Sequence, residues 1–265
     1  MIIDFHVHCF HDDLACRAIK ELGERACIRA RLNGTVGDVK KSMKIAGVDH
    51  SVVLSIATKP SHTERINTWC AGLQDKEIIP FGSIHPDFAG WKDELKRMKE
   101  LGLKGLKLHP DYQLFYIDEQ RMFPIYERIF ELGLIIVFHA GLDIGLPPPY
   151  HCTPERLLKL VKAFPGGKIV AAHMGSYEYW DDVERLLVGE DIYFDTAYSF
   201  GRISDSQVKR IIKGHDYRKI LFATDSPWTD QNEEIASLKS LGLGAEMEDA
   251  ILGENACNLL GLNIN

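Results

Sequence analysis

Two histidines two residues apart, His6 and His8, stand in the opening stretch M-I-I-D-F-H-V-H. Side chains on an extended strand change face at every residue, so Asp4, His6 and His8 share one side and Ile3, Phe5 and Val7 the other. The two imidazoles are then about 7 Å apart at the Cα level, a separation from which both can converge on one metal ion. A strand that merely carries two histidines reads the same way, so the rest of the chain decides.

Three more apolar runs end in residues of the same chemistry: L-I-I-V-F-H at His139, K-I-V-A-A-H at His173 and I-L-F-A-T-D at Asp225. Of eleven histidines, six end such runs (His6, His8, His85, His109, His139, His173). His11, His62 and His151 follow just beyond, and only His50 and His215 belong to the opposite rim. Alternation places His139 with Ile135 and Val137, His173 with Ile169 and Ala171, and Asp225 with Leu221 and Ala223. Three imidazoles, His6, His8 and His139, with the Asp225 carboxylate form a mixed nitrogen and oxygen set that suits one divalent ion, zinc first and manganese or another first-row metal next.

The elements that must position these residues repeat along the chain. Strands are expected at Met1 to His8, Ser51 to Ile56, Ile78 to His85, Leu103 to His109, Leu134 to His139, Lys168 to His173, Ile192 to Thr196 and Ile220 to Asp225. Helical patterns lie between them: a region within 9–50 closed by Gly47, Thr63 to Asp75, Trp91 to Leu101, Asp118 to Leu132, one opening at Thr153-Pro154, and a last one from Glu246 to Leu260. Eight strands alternating with helices imply parallel pairing through crossovers and a (β/α)₈ TIM barrel as one domain over 1–265. The loops after the strands then form the face where barrel active sites are built.

Composition agrees with a globular enzyme. The 265 residues are 45% hydrophobic and 26% charged, with a formal net charge of −7 and no long basic run. That balance argues against nucleic acid or an anionic membrane as partner and favours a small-molecule substrate. No apolar run reaches the ~20 residues of a membrane span. The chain enters its first strand without a basic leader, and its six cysteines form no C-x-x-C pair. A cytoplasmic protein with reduced thiols is expected, and a homodimer is the candidate oligomer.

Ordered motifs then carry a resemblance. D-F-H-V-H at 4 to 8, A-G-V-D-H-S-V-V-L at 46 to 54, G-L-K-G-L-K-L at 102 to 108, F-H-A-G at 138 to 141, A-A-H-M-G at 171 to 175, I-L-F-A-T-D-S-P-W at 220 to 228 and G-E-N-A-C-N-L-L-G-L at 253 to 262 resemble the amidohydrolase superfamily. The likeness is to its amidohydrolase-related branch of metal-dependent hydrolases and decarboxylases. It implies a distorted barrel with one divalent ion on His6, His8, His139 and Asp225, and His173 nearby as a catalytic group.

The expected chemistry is hydrolysis of a small ester, lactone or amide by a metal-activated water. Asp225 would relay the water proton to the leaving group and His173 would polarise the carbonyl. Non-oxidative decarboxylation of a small carboxylic acid is the alternative, and a metal-bound barrel without turnover a third. Asp4 either orients a ligand from behind or is a buried carboxylate held by backbone donors. Lys107 is inward by parity, read as a structural or substrate-facing lysine, with a carboxylated lysine bridging two metals as the other option. For substrate binding the loops Phe10 and His11, Asp111 to Gln113, Pro147 to His151, Ser176 to Trp180, Tyr198 to Arg202 and Trp228 are candidates, with Tyr112, Tyr198, Arg202 and Trp228 foremost and Arg202 or Lys59 as a carboxylate holder.

Overall fold

The computed structural model describes residues 1–262, so the last three residues of the expected 1–265 domain lie outside the described residues. Eight parallel strands occur in chain order: β1 (Ile3–Val7), β2 (His50–Leu54), β3 (Ile78–Phe81), β4 (Gly105–Leu108), β5 (Ile135–Phe138), β6 (Ile169–Ala171), β7 (Tyr193–Asp195) and β8 (Ile220–Leu221). They form one sheet in the order β1-β2-β3 and another in the order β4-β5-β6-β7-β8. Isolated parallel bridges join the two sheets at both seams, Gly82 to Leu106 and Val7 to Ser226. The result is the TIM-barrel ring expected from the strand count.

Each seam has a local cause. At β3–β4, Gly82 N–H donates to Gly105 O (3.0 Å) and Lys107 N–H to Gly82 O (2.9 Å). A Cβ at Gly105 would lie 2.4 Å from the Phe81 ring and 2.5 Å from Ile135 O, so only glycine allows this approach. At β8–β1, Phe5 N–H donates to Phe222 O (2.9 Å), Asp225 N–H to His6 O (2.8 Å) and His8 N–H to Ser226 O (2.6 Å).

The lumen is packed with apolar side chains, among them Ile3, Phe5, Leu54, Phe81, Val137 and Val170, with Phe5 and Phe81 edge to face at 5.8 Å. Outside it, helices bury one stripe each. In α9 (Asp205–Gly214) the buried residues Val208, Ile211 and Ile212 follow helical spacing, and Ser204 accepts a cap bond from Gln207 N–H. Burying each such side chain contributes about 1.5–3 kcal/mol. The region before β2 resolves into α1 (Asp12–Ala26) and α2 (Val36–Ala46), the latter capped by Thr35 and closed by Gly47 at φ 73°. Next come α3 (Thr63–Leu73), α4 (Trp91–Glu100) and the single turn α5 (Pro110–Gln113). Then follow α6 (Phe123–Glu131), α7 (Pro154–Ala163), α8 (Trp180–Leu186), α9, α10 (Gln231–Ser240), α11 (Ala245–Asp249) and α12 (Asn255–Leu260).

Several expectations need correction. The helix expected from Asp118 begins at Phe123 after a 3₁₀ turn, where Pro124 suits its first turn. The last helix, expected from Glu246 to Leu260, is interrupted by a π-helical stretch over Ala250–Glu254.

Simple alternation fails on two strands. On β1, Asp4 pairs with Ser51 but Val7 with Val53, so one extra residue is inserted there, a β-bulge. Ile3 and Phe5 therefore fill the lumen, whereas Asp4 turns away toward Gln231 and Thr224, off the face of His6 and His8. On β6, Val170 fills the lumen while Ile169 and Ala171 pack outside. His173 comes back to the site because the strand has ended and His173, Met174 and Gly175 take φ values of 63°, 53° and 91°. The two non-glycine residues, His173 and Met174, cost about 1–3 kcal/mol each in this conformation and persist only where the surroundings fix them. Here Asp195 accepts from His173 N–H (2.9 Å), Asp195 O from Met174 N–H (2.7 Å) and His173 O from Trp180 Nε1–H (3.1 Å).

Candidate metal centre

His6 and His8 on β1 meet Asp225, which follows β8, across the seam between those strands. His6 Nε2 is 3.2 Å from His8 Nε2, and Asp225 Oδ1 is 3.3 Å from the former and 3.2 Å from the latter. A tetrahedral ion with bonds of about 2.0–2.1 Å has donor–donor edges of about 3.3–3.4 Å, so the three atoms have the size of one coordination face.

The hydrogen bonds behind the rings fix which nitrogen faces the site. His6 Nδ1 is 2.9 Å from Asp195 Oδ2, and His8 Nδ1 is 2.8 Å from Leu54 O. A carbonyl only accepts, and a buried carboxylate does the same, so both Nδ1 atoms donate and both Nε2 atoms turn inward. Burial, with Lys107 beside it, holds His6 well below the ordinary imidazole range, so its ring is neutral. Two inward nitrogens and a carboxylate oxygen within 3.3 Å need a positive species among them. Lys107 Nζ, 3.2 Å from His6 Nε2, meets one of these atoms, and a metal ion would meet all three at once.

His139, the expected fourth ligand, does not join this group. His173 Nδ1 donates to Ala197 O (2.9 Å), and His173 Nε2 is hydrogen-bonded with His139 Nδ1 at 3.0 Å. His139 Nε2 is buried with no hydrogen-bond partner among the described residues, and its ring stacks on His109 at 4.1 Å with 7° between planes. These contacts turn His139 toward a second set of nearby donors, His109, His139 and Asp143. In that set Asp143 Oδ2 is 3.1 Å from His109 Nε2 and 3.9 Å from His139 Nε2.

Lys107 reaches the centre from β4 and is fully buried, with Nζ 3.2 Å from His6 Nε2. Among the described residues it has no ion-pair partner, and burial pushes it down to about 8. Asp4, raised to about 6 by burial, accepts from the N–H groups of His6 and Thr224, the Thr224 hydroxyl and Gln231. It is the buried carboxylate held largely by backbone donors, and it touches neither ring.

A cavity of about 530 Å³ opens above the centre. Tyr112, Tyr198 and Trp228 line it as expected, together with Phe10, His11 and Tyr177. Arg202 does not line it: its guanidinium stacks 3.3 Å from the Tyr198 ring centroid and donates to Phe200 O. Lys59 is likewise outside the wall, and Asp111 is held by His151 Nδ1 at 2.6 Å.

Some contributors had escaped the sequence reading. Asp195 shares the inward face of β7 with Tyr193 and Ala197, and a carboxylate inside so short an apolar strand was the available signal. His109 was placed at the rim by its strand end, but its grouping with Asp143 and His139 follows from the stacking of the two rings. His62, Arg65, Ile66 and Trp69 line the cavity at helical spacing and are legible as one face of α3 only when that helix is placed beside the site.

The fold has known relatives. A crystal structure of 5-carboxyvanillate decarboxylase from Sphingomonas paucimobilis is similar with a TM-score of 0.74 at 16% identity, covering 99% of each chain. A dihydroxybenzoic acid decarboxylase from a Polaromonas species, with bound manganese and 2-nitroresorcinol, gives 0.73 at 18%, covering 100% of this chain and 98% of that one. An uncharacterised TIM-barrel protein from Bordetella bronchiseptica gives 0.78 at 18%, covering 98% of each. No curated protein matches the sequence. Among the described residues no helix is long and apolar enough to cross a membrane. The family model described as amidohydrolase matches residues 3–262, nearly the whole sequence, and the chain belongs to that family of enzymes.

Proposed function

We propose that this enzyme is a metal-dependent, non-oxidative decarboxylase of a small aromatic carboxylic acid, with one divalent ion on His6, His8 and Asp225. The observation that carries the reading is Lys107, a cation buried beside the donor triad with no ion-pair partner among the described residues. Such a group is completed by an anionic substrate and gains nothing from a neutral ester or lactone. The named decarboxylases of like fold support the same choice over the hydrolysis first expected from the sequence. Manganese in one of them makes it as good a candidate as zinc, and the mixed donor set suits both.

A divalent ion bound there supplies a Lewis acid that holds substrate oxygens and favours their ionised form. Lys107 pairs with the carboxylate and sets the acid's position. Burial opposes ionisation of Asp225, but the hydrogen bond with His8 and the neighbouring imidazoles outweigh it and hold the group below the usual carboxylate range. Asp225 is therefore a base at rest. It accepts the proton of a ring hydroxyl next to the carboxylate. As the carbon–carbon bond breaks, carbon dioxide leaves and the electron pair stays on the ring carbon. Asp225 returns the proton to that carbon. His173, with its Nε2 3.0 Å from His139 Nδ1, borders the cavity as a polar wall.

Protein loaded with one equivalent of Mn²⁺ or Zn²⁺ is offered a panel of hydroxybenzoic acids, esters and lactones. Carbon dioxide release, with deuterium from heavy water at the vacated ring position, is expected. Ester or lactone hydrolysis with no carbon dioxide from any acid overturns the proposal.

A further inference from the structure

Part of the cavity wall is made of apolar side chains that stay open to solvent. Leu14, Leu22 and Ala26 of α1 line it, eight and four residues apart and so on one helical face, and so do Ile66 and Trp69 of α3. Leu14 is 44% exposed, and Ile144, which also lines the cavity, is 39% exposed. Leu14 and Leu22 belong to neither core cluster and are not among the residues packed against them. His8 and Asp225 of the donor triad line the same cavity, as does Lys107. A cavity of about 150 Å³ holds benzene, so the 530 Å³ here is more than a single-ring acid requires.

We infer that the substrate is an amphipathic carboxylic acid. Its acid head lies against Lys107 and the triad, and its apolar body, a second ring or a chain of about six carbons, extends between α1 and α3. This rests on the decarboxylase reading for the head group only.

The test is calorimetric titration of the manganese-loaded protein with salicylate, 4-butylsalicylate and 4-hexylsalicylate, with carbon dioxide measured in parallel. Transfer of each methylene into an apolar wall gives roughly a three- to fourfold gain in affinity, so the hexyl acid should bind more than about a hundredfold tighter than salicylate. Leu22→Asp should cut that hexyl-to-parent ratio at least about tenfold. Leu14→Asp, at an exposed position that leaves folding intact, should do the same. Equal binding of the hexyl and parent acids, or a ratio unchanged in both variants, overturns the inference. Carbon dioxide from salicylate without a chain-length gain overturns it while leaving decarboxylation standing. A chain-length gain without carbon dioxide from any member supports the apolar body and overturns the decarboxylase reading.

Discussion

Asp195→Asn should separate the metal centre from the fold. Asp195 Oδ1 accepts from His173 N–H (2.9 Å) and Ala197 N–H (3.1 Å), and Oδ2 faces His6 Nδ1 at 2.9 Å, all buried. Asparagine keeps an oxygen for the two backbone donors but points an NH₂ group at His6 Nδ1. The imidazole must then take its other tautomer, with Nδ1 accepting and a proton on Nε2, the atom that faces His8 and Asp225. Partners of this kind behind a ligand are worth about 10–100-fold in metal affinity, or about 1.4–2.8 kcal/mol. Metal-free stability should change by no more than about 1 kcal/mol, since both backbone bonds survive. Asp195→Ala leaves two buried N–H groups unpaired at about 1–3 kcal/mol each, and should lower metal-free stability by about 2–5 kcal/mol. Competition of each variant with a chelator of known affinity, beside urea unfolding of the metal-free protein, reads both quantities. Wild-type metal affinity in Asp195→Asn would refute the tautomer argument.

Lys107 makes stability depend on pH. Its folded value of about 8 lies below the ordinary 10.5, so the unfolded chain binds the extra proton between the two. The penalty of the buried charge is complete below pH 8 and is relieved as pH rises toward 10.5, by about 3 kcal/mol. Urea unfolding of metal-free Lys107→Met should lack that rise; an identical pH profile in both proteins would contradict it. Tyr126 is fully buried and its hydroxyl has no partner among the described residues, so Tyr126→Phe should be neutral or raise stability by about 1 kcal/mol in the same assay. Gly141 has φ 90°, and a Cβ there would lie 2.3 Å from both Tyr177 N and O. Gly141→Ala should cost about 3–5 kcal/mol, from backbone strain and overpacking together, visible as a melting temperature several degrees lower.

The barrel was legible because its signals are local and repeated. Runs such as L-I-I-V-F, stopped by histidine and followed by a capped helix, recur often enough to give strand number and rim. All eight expected strands occur, though each is shorter, since hydrogen bonding ends before the apolar run does. Face assignment was less secure, because alternation assumes an unbroken ladder. The extra residue between Asp4 and Val7 moves Asp4 off the histidine face, and the left-handed turn at His173 restores a side chain that alternation on β6 had already placed wrongly. Neither device has a local sequence signature. The split of His139 from His6, His8 and Asp225 depends on stacking with His109 and pairing with His173, contacts between strands that no single segment encodes. Arg202 illustrates the same limit on the loops, where residue type indicated a carboxylate holder but packing put the guanidinium on Tyr198.

The irregularities of this barrel and its chemistry have one origin. The β8–β1 seam is carried by a few bonds around a bulge, and the bulge is what aims His6 and His8 together at Asp225. Each ring is then locked by an acceptor from another strand or the segment after it, Leu54 O on β2 for His8, Asp195 on β7 for His6 and Ala197 O for His173. The donor triad therefore assembles only when the ring closes. An ion bound to it would in turn tie β1 to β8, displacing the positive charge that the crowded acceptors otherwise need. At a hundred times its dissociation constant such an ion would add about 2.7 kcal/mol to the folded state. A seam weak enough to need that tie is the place where a barrel can open a three-donor site without disturbing the packed lumen beneath it.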